Sequence, residues 1–524
     1  MTGFSRHAVA GVAALLMAMP ASAQTLKFGM GPPVISIDPH FMDSAPNKGV
    51  VADIFDALTD LDPTAHLIPS LATSWKLLDD HTWQFQLRPG VKFQDGQDFT
   101  AQDVAFSLAR VPQVVNSPSP FTSYTHSIDN VKIVDDHTIE LHTKDIDPLL
   151  PVYLAQVRMV SHGIGSADTT ADFDHGKAAI GTGPFRLVSY TPSVGVELER
   201  NPDYWDRKPD WQHVSIRFIP DNAARVAALL AGDVQAIDVV PTADLPQLRK
   251  RPEISVADAV GLRLIYLTLD QGRTGPSPFV TGPNGEALTT NPLRDLRVRQ
   301  ALSMAIDRKA IVHFVMDDAA LPSQQFLPPG SVSYVDGLNP PPYDPARAKQ
   351  LLAEAGYPNG FRVTLNGPIA RYVNDTAILQ AIGTRWQRIG VQTSVQPVPW
   401  SSFAGKAHNG DYSVTLAGVG SPTGDDSLAL TVAVATSDPA HGLGVLNTGH
   451  YSNQQVDQLL AQAMGTVDDA RRNALLEQAT ATAMNDVAII PLHIQDNIWA
   501  TRKGVTYTAR RDEQTRVGDI RATP

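Results

Sequence analysis

Polar and apolar side chains alternate along T-W-Q-F-Q-L, residues 82–87. Trp83, Phe85 and Leu87 point one way and Thr82, Gln84 and Gln86 the other, which predicts a half-buried strand. Pro89-Gly90 predicts a type II turn, because proline fixes φ at the second position and glycine accepts positive φ at the third. Asp95-Gly96 predicts another turn. Thr100 and Asp103 have capping-box spacing, and Val104, Phe106 and Leu108 then begin an apolar helical face. The segment W-K-L-L-D-D-H-T-W-Q-F-Q-L (75–87) is echoed by V-K-I-V-D-D-H-T-I-E-L-H-T (131–143). Two His-Asp clusters could suggest metal. Aspartate also favours turns, where it bonds its own backbone, so both segments are read as hairpins with an Asp-Asp-His turn.

The same reading runs along the chain. Residues 26–30 predict a first strand. Residues 221–240 predict a helix capped by Asp221, a stop at Gly232, then a strand. G-L-R-L-I-Y-L-T-L-D (261–270) is a long apolar strand that runs into a Gly/Pro/Thr-rich loop at 271–292. Helices are expected at 296 to about 316, from Asp344-Pro345 to Gly356, at 374–390, at 452–464 and at 467–485. Residues 487–494 predict a buried strand. Alternating strands and helices make this an α/β protein.

Composition adds the compartment. Residues 1–23 carry one arginine and no acid, then an apolar run too short to span a bilayer, ending at Ala21-Ser22-Ala23. This predicts a cleavable secretory signal peptide. The 524-residue chain has no cysteine, which excludes disulfides, thiolate zinc sites, a Cys nucleophile and a lipid on an N-terminal Cys. An exported, unanchored chain fits a Gram-negative periplasm. A formal charge of −12 without a basic run argues against nucleic acid or anionic membrane as partner.

L-A-T-S-W…D-D-H-T-W-Q-F-Q-L-R-P-G-V-K-F-Q-D-G-Q-D-F-T-A-Q-D-V-A-F-S-L resembles the signature of the peptide/nickel/opine class of periplasmic solute-binding proteins (family 5), the receptors of ABC importers. The resemblance continues through G-T-G-P-F-R-L (181–187), N-P-D-Y-W (201–205), V-R-Q-A-L-S-M-A-I-D-R (298–308), Y-D-P-A-R-A-K-Q-L-L-A-E-A-G-Y-P-N-G (343–360) and I-I-P-L-H (489–493). Gln94 stands where the family usually has His. The resemblance implies a two-lobed type II binding-protein fold with an extra subdomain. Lobe I would comprise 24–56, 184–265 and 495–524, the extra subdomain 57–183, and lobe II 271–490. Hinge segments would lie near 261–270 and 487–499, and closure of the lobes would bury the ligand.

Ligand contacts are expected from loops on both lobes. In A-R-Y-V-N-D (370–375), Arg371, Tyr372 and Asn374 match a family stretch whose Arg meets the ligand carboxylate; a guanidinium fork suits that role. The alternative is a surface Arg, which the dipole disfavours at a helix start. The loop around Gly418, Val419, Gly420 and Ser421 usually reads G-W-x-x-D in the family, and that Asp binds the peptide amine. Here Val419 replaces the Trp and Pro422 the Asp, leaving Asp425 and Asp426 either to substitute or to cap the next segment. Gly418-x-Gly420 is not read as a nucleotide fingerprint, because the third glycine, Gly424, comes one residue late. Trp400 and Phe403 are candidates for an aromatic cleft wall, with core packing as the alternative. Asp43, Ser44 and Ala45 follow the first strand, where family loops touch the ligand.

These features predict a monomeric, non-enzymatic receptor without cofactor. It would deliver a small solute, a short peptide first among the candidates, to an inner-membrane ABC permease. A nickel chelate, an opine or a glycoside remain open as ligands. The rival class, a secreted hydrolase, lacks a Gly-x-Ser-x-Gly elbow, a His-Glu-x-x-His pair and a Walker loop.

Overall fold

The computed structural model describes residues 25–165, 168–338 and 342–523, so the predicted leader at 1–23 lies outside the described residues. A twelve-stranded sheet runs through the molecule. At its middle two long strands, Ile254–Leu269 and Ile490–Arg502, lie antiparallel. Residues 263–269 of the first pair with Val414–Gly420, beyond which lies Arg362–Ile369. The end of the second, at Ala500 and Thr501, pairs with Ala236–Ile237, beyond which lie Thr25–Met30 and His213–Phe218. Both long strands therefore pass from one half of the sheet to the other. Their register slips between Val260 and Leu264, and a Cβ at Gly261 would come 2.6 Å from the Gln495 carbonyl oxygen. Only glycine permits that approach at the bulge.

Two lobes follow from this sheet. Along the first crossing strand, Ile265, Leu267 and Leu269 pack on one face with Phe361, Ile382 and Trp386. Leu264 and Tyr266 pack on the other with Leu430, Leu460 and Leu476. Cover on both faces explains the nearly unbroken apolar run. In the other lobe, Phe28, Ile216 and Trp499 form one core, and Val226, Leu229 and Ile237 form another.

The two Asp-Asp-His segments are hairpins of one four-stranded sheet, Ala72–Asp79 with Thr82–Leu87 and Ile128–Asp135 with Thr138–Thr143. Asp79 accepts from the His81 N–H at 2.9 Å and Asp135 from the His137 N–H at 2.8 Å, so the aspartates shape the turns. Gly90 and Gly96 hold φ of +76° and +92°. Thr100 and Asp103 form a reciprocal capping box on the helix Ala101–Arg110. Gln94 Nε2 donates to the Phe185 carbonyl at 2.6 Å, tying this sheet's loop to the first lobe.

Several expected elements differ. The single helix at 296–316 is two, Leu296–Met304 and Arg308–Val315, because Asp307 accepts from the Ala310 N–H and restarts the helix. The loop 271–292 contains a short strand, Val280–Thr281, paired with Val363 and Arg362. The helix Gln454–Met464 is capped by Asn453 rather than Ser452. The helix Trp400–His408 was not predicted. Among the described residues no helix is long and apolar enough to cross a membrane.

Candidate functional site

The strand Arg362–Ile369 ends in a loop that turns twice through the left-handed region, at Ala370 (φ +57°) and Asn374 (φ +55°). Asp375 Oδ2 accepts from the N–H groups of Arg371 (3.0 Å) and Tyr372 (3.3 Å) and fixes the loop between them. Arg371 is thereby left exposed. Its guanidinium carbon lies 5.2 Å from the ring centroids of both Tyr372 and Trp400. No ion pair forms on it among the described residues. The arrangement is a cation held against two aromatic rings, each contact a cation–π interaction.

Tyr372 itself is 9% exposed. Its ring lies over Gly418: a Cβ there would sit 2.8 Å from Tyr372 Cε1 and 3.0 Å from Ile265 Cδ1. Gly418 is thus the seat of an aromatic ring. Gly420, two residues on, faces Arg263 of the first crossing strand. Arg263 makes a two-pronged pair with Glu513, Nε and Nη2 donating at 2.7 and 3.0 Å. Arg371, Tyr372, Trp400, Gly418, Gly420 and Arg263 therefore form one continuous surface beside the crossing strands.

Other candidate residues are placed differently. Val419 points into the core behind the strand, and Ser421 is buried with its N–H bonded to the Leu262 carbonyl at 3.1 Å. Asp425 is 4% exposed, and its Oδ1 accepts from Thr423 Oγ1 and from the Ser427 N–H and hydroxyl. Asp426 has no exposure; Oδ2 accepts from Thr480 Oγ1 at 2.7 Å and Oδ1 has no partner. Burial, with the charges of Asp425 and Glu477 adding, pushes its carboxyl up to about 8. Asp426 thus faces the core, and Asp425 caps its own loop; neither offers an open carboxylate for an amine. Phe403, 4% exposed, stacks on Tyr412 with centroids 5.6 Å apart, so it is a packing residue beneath the Trp400 helix rather than a wall. Asn374 Nδ2 donates to Thr242 Oγ1 (2.9 Å) and to the Val315 carbonyl (2.7 Å), which engages both amide hydrogens within the protein.

On the other lobe, Asp43 pairs with Lys48 at 2.7 Å and accepts from Tyr124 Oη at 2.8 Å. Ser44 precedes the helix Ala45–Ala52 without capping it through its side chain. Lys48 also donates to Gln156. The Tyr124 ring lies 6.0 Å from that of Tyr153. Burial keeps the Tyr153 phenol protonated, with the charges of Asp147 and Asp425 adding. Tyr124, Tyr153, Arg263 and Glu513 were not foreseen. Of these only Arg263 left a signal, a lone charge in an apolar strand. Among the described residues no three His, Asp or Glu side chains are grouped to hold a metal. Two recesses of about 420 and 390 Å³, one beside Val260 and Arg511 and one beside Arg308 and Met484, lie outside this surface.

Comparison with known proteins identifies the family. Heme-binding protein A of Haemophilus influenzae is 30% identical over 451 residues, covering 81% of this chain and 78% of that protein. The glutathione-binding protein GsiB of Escherichia coli K12 is 28% identical over 512 residues, covering 95% and 94%. The ABC transporter-associated periplasmic binding protein DppA from Helicobacter pylori, solved with the peptide STSA, superposes with a TM-score of 0.77 at 23% identity, covering 95% of this chain and 98% of that one. Residues 66–439 match the middle region of the bacterial extracellular solute-binding proteins, family 5. The chain belongs to that family, the substrate-binding receptors of ABC importers.

Proposed function

We propose that this receptor captures a small solute with a carboxylate, a short peptide being the leading class, and hands it to an inner-membrane ABC permease. The observation that carries the reading is Arg371: an exposed guanidinium without an internal anion, framed by Tyr372 and Trp400. A ligand carboxylate would meet the fork with two parallel hydrogen bonds. The closed loops of Asp425 and Asp426 favour a ligand recognised by its acid rather than by its amine. Relatives named for peptide, glutathione and heme show the range over which the scaffold is used.

The crossing strands serve as the hinge, with the slipped register at 260–264 as the point of flexure. Residues 24–56, 184–265 and 495–524 form lobe I, 57–183 the subdomain and 271–490 lobe II. The protein acts as a monomer without catalytic activity, exported to the periplasm with removal of residues 1–23. A thermal-shift screen against dipeptides, oligopeptides, opines, glycosides and metal chelates tests the ligand class, since a ligand bound only by the folded state raises the melting temperature. Stabilisation by carboxylate ligands and not by glycosides supports the reading; the reverse refutes it.

A further inference from the structure

Arg263 is the only charged side chain between Asp258 and Asp270. It lies within the slipped register of the crossing strand, between Val260 and Leu264, and shares a strand face with Ile265, the residue under Tyr372. Opposite it stands Gly420, where an added Cβ would make only van der Waals contact, 3.6 Å from Nη2. The fork is filled by Glu513, 250 residues away, in the left-handed conformation at φ +64°. Both side chains stay about one-fifth exposed, 20% and 23%. The segment bearing Glu513 is anchored without it. The Arg511 N–H donates to the Pro63 carbonyl and the Leu262 N–H to the Arg511 carbonyl, while Asn497 Nδ2 donates to the carbonyls of Arg510 and Arg511. Glu513 therefore does one identifiable thing: it presents a carboxylate to the Arg263 guanidinium.

We propose that Arg263 is a second anion-receiving group of the cleft, on which Glu513 stands in for a ligand carboxylate, so that the receptor selects solutes carrying two carboxylates. The inference rests on the assignment of Arg371 as the first such group. Exchange of one carboxylate for another keeps the same two charge-assisted bonds on the fork. A ligand already held at Arg371 offers its second carboxylate at high local concentration, so it displaces Glu513, which turns to solvent. A ligand with one carboxylate leaves the internal pair in place and gains nothing from Arg263.

Calorimetric titration tests this with two probes, glutathione (two carboxylates) and trialanine (one), on the wild type, Glu513→Gln and Arg263→Gln. The wild type should bind glutathione more tightly than trialanine. Glu513→Gln removes the competitor and should strengthen glutathione binding by about tenfold or more while changing trialanine by less than about twofold. Arg263→Gln should erase the preference. The double variant, which removes both charges together, should melt within a few degrees of the wild type and also show no preference. A Glu513→Gln protein with unchanged relative affinities overturns the proposal. Binding of trialanine but not glutathione overturns it too and leaves the carboxylate-receptor reading standing; binding of neither overturns both.

Discussion

Asp426 gives the most quantitative test of the buried chemistry. Its carboxyl sits in the core of the second lobe with one oxygen on Thr480 and the other unpaired, and burial raises it to about 8. In the unfolded chain the same group titrates near ~3.9. Between those values the unfolded state has lost a proton that the folded state keeps. This contribution to stability is complete below the unfolded value and is lost as pH rises through the folded one. Each pH unit in that window costs about 1.4 kcal/mol, so from pH 5 to pH 8 the loss is on the order of 4 kcal/mol. Asp426→Asn keeps the shape and the bond to Thr480 but cannot ionise. Its stability relative to wild type should therefore climb by about that amount across the same interval. Urea unfolding of both proteins at pH 5, 6, 7 and 8 measures the difference. Asp53 and Asp496, raised by burial to about 7, and Asp238, raised to about 6, slope the wild-type curve but cancel in the comparison. Parallel curves for the two proteins would refute a protonated Asp426.

Gly418→Ala would drive a methyl group 2.8 Å from Tyr372 and 3.0 Å from Ile265; it should cost about 1–3 kcal/mol in thermal unfolding and weaken ligand binding as Tyr372 shifts. Gly405→Ala, in the helix Trp400–His408 with nothing within 4 Å, should instead stabilise by about 0.5–1 kcal/mol. Arg516→Ala breaks the two-pronged pair with Asp60 (2.5 and 2.8 Å) that ties the C-terminal segment to the strand Thr59–Leu61. It should cost about 1.5–3 kcal/mol and open that segment to limited proteolysis, because Asp60 keeps only the longer contact with Arg158 at 4.0 Å.

The features read from sequence are those set by neighbours in the chain. The capping box of Thr100 and Asp103, the Asp-Asp-His turns and the glycine stops depend on residues two to four apart, and each is in place. The break at Asp307 was also local, but an apolar periodicity that continued through Ile306 and Ile311 masked it. The crossing strands run longer than expected because Ala257, Asp258 and Ala259 are held by pairing to 497–499 rather than by their own hydrophobicity. What escaped reading is long-range. Glu513 reaches Arg263, Asn374 reaches Thr242 and Thr480 covers Asp426 across 250, 132 and 54 positions. Nothing in the local sequence distinguishes a donor facing solvent from one engaged by a distant partner. Arg371 was legible only through family resemblance; its aromatic frame required the turn that brings Trp400 beside it.

The central claim is that Arg371 receives the ligand's carboxylate. Calorimetric titration of wild type, Arg371→Ala and Arg371→Lys with the tightest-binding peptide of the screen tests it directly. Loss of a charge-assisted pair in a closed cleft leaves the ligand's charge buried and unpaired. Arg371→Ala should therefore weaken binding by roughly 2–5 kcal/mol, about 30- to 5,000-fold. Arg371→Lys should recover part of it, since an ammonium cannot form the fork. Affinities within about twofold of wild type in both variants, the behaviour of a surface arginine, would contradict the claim.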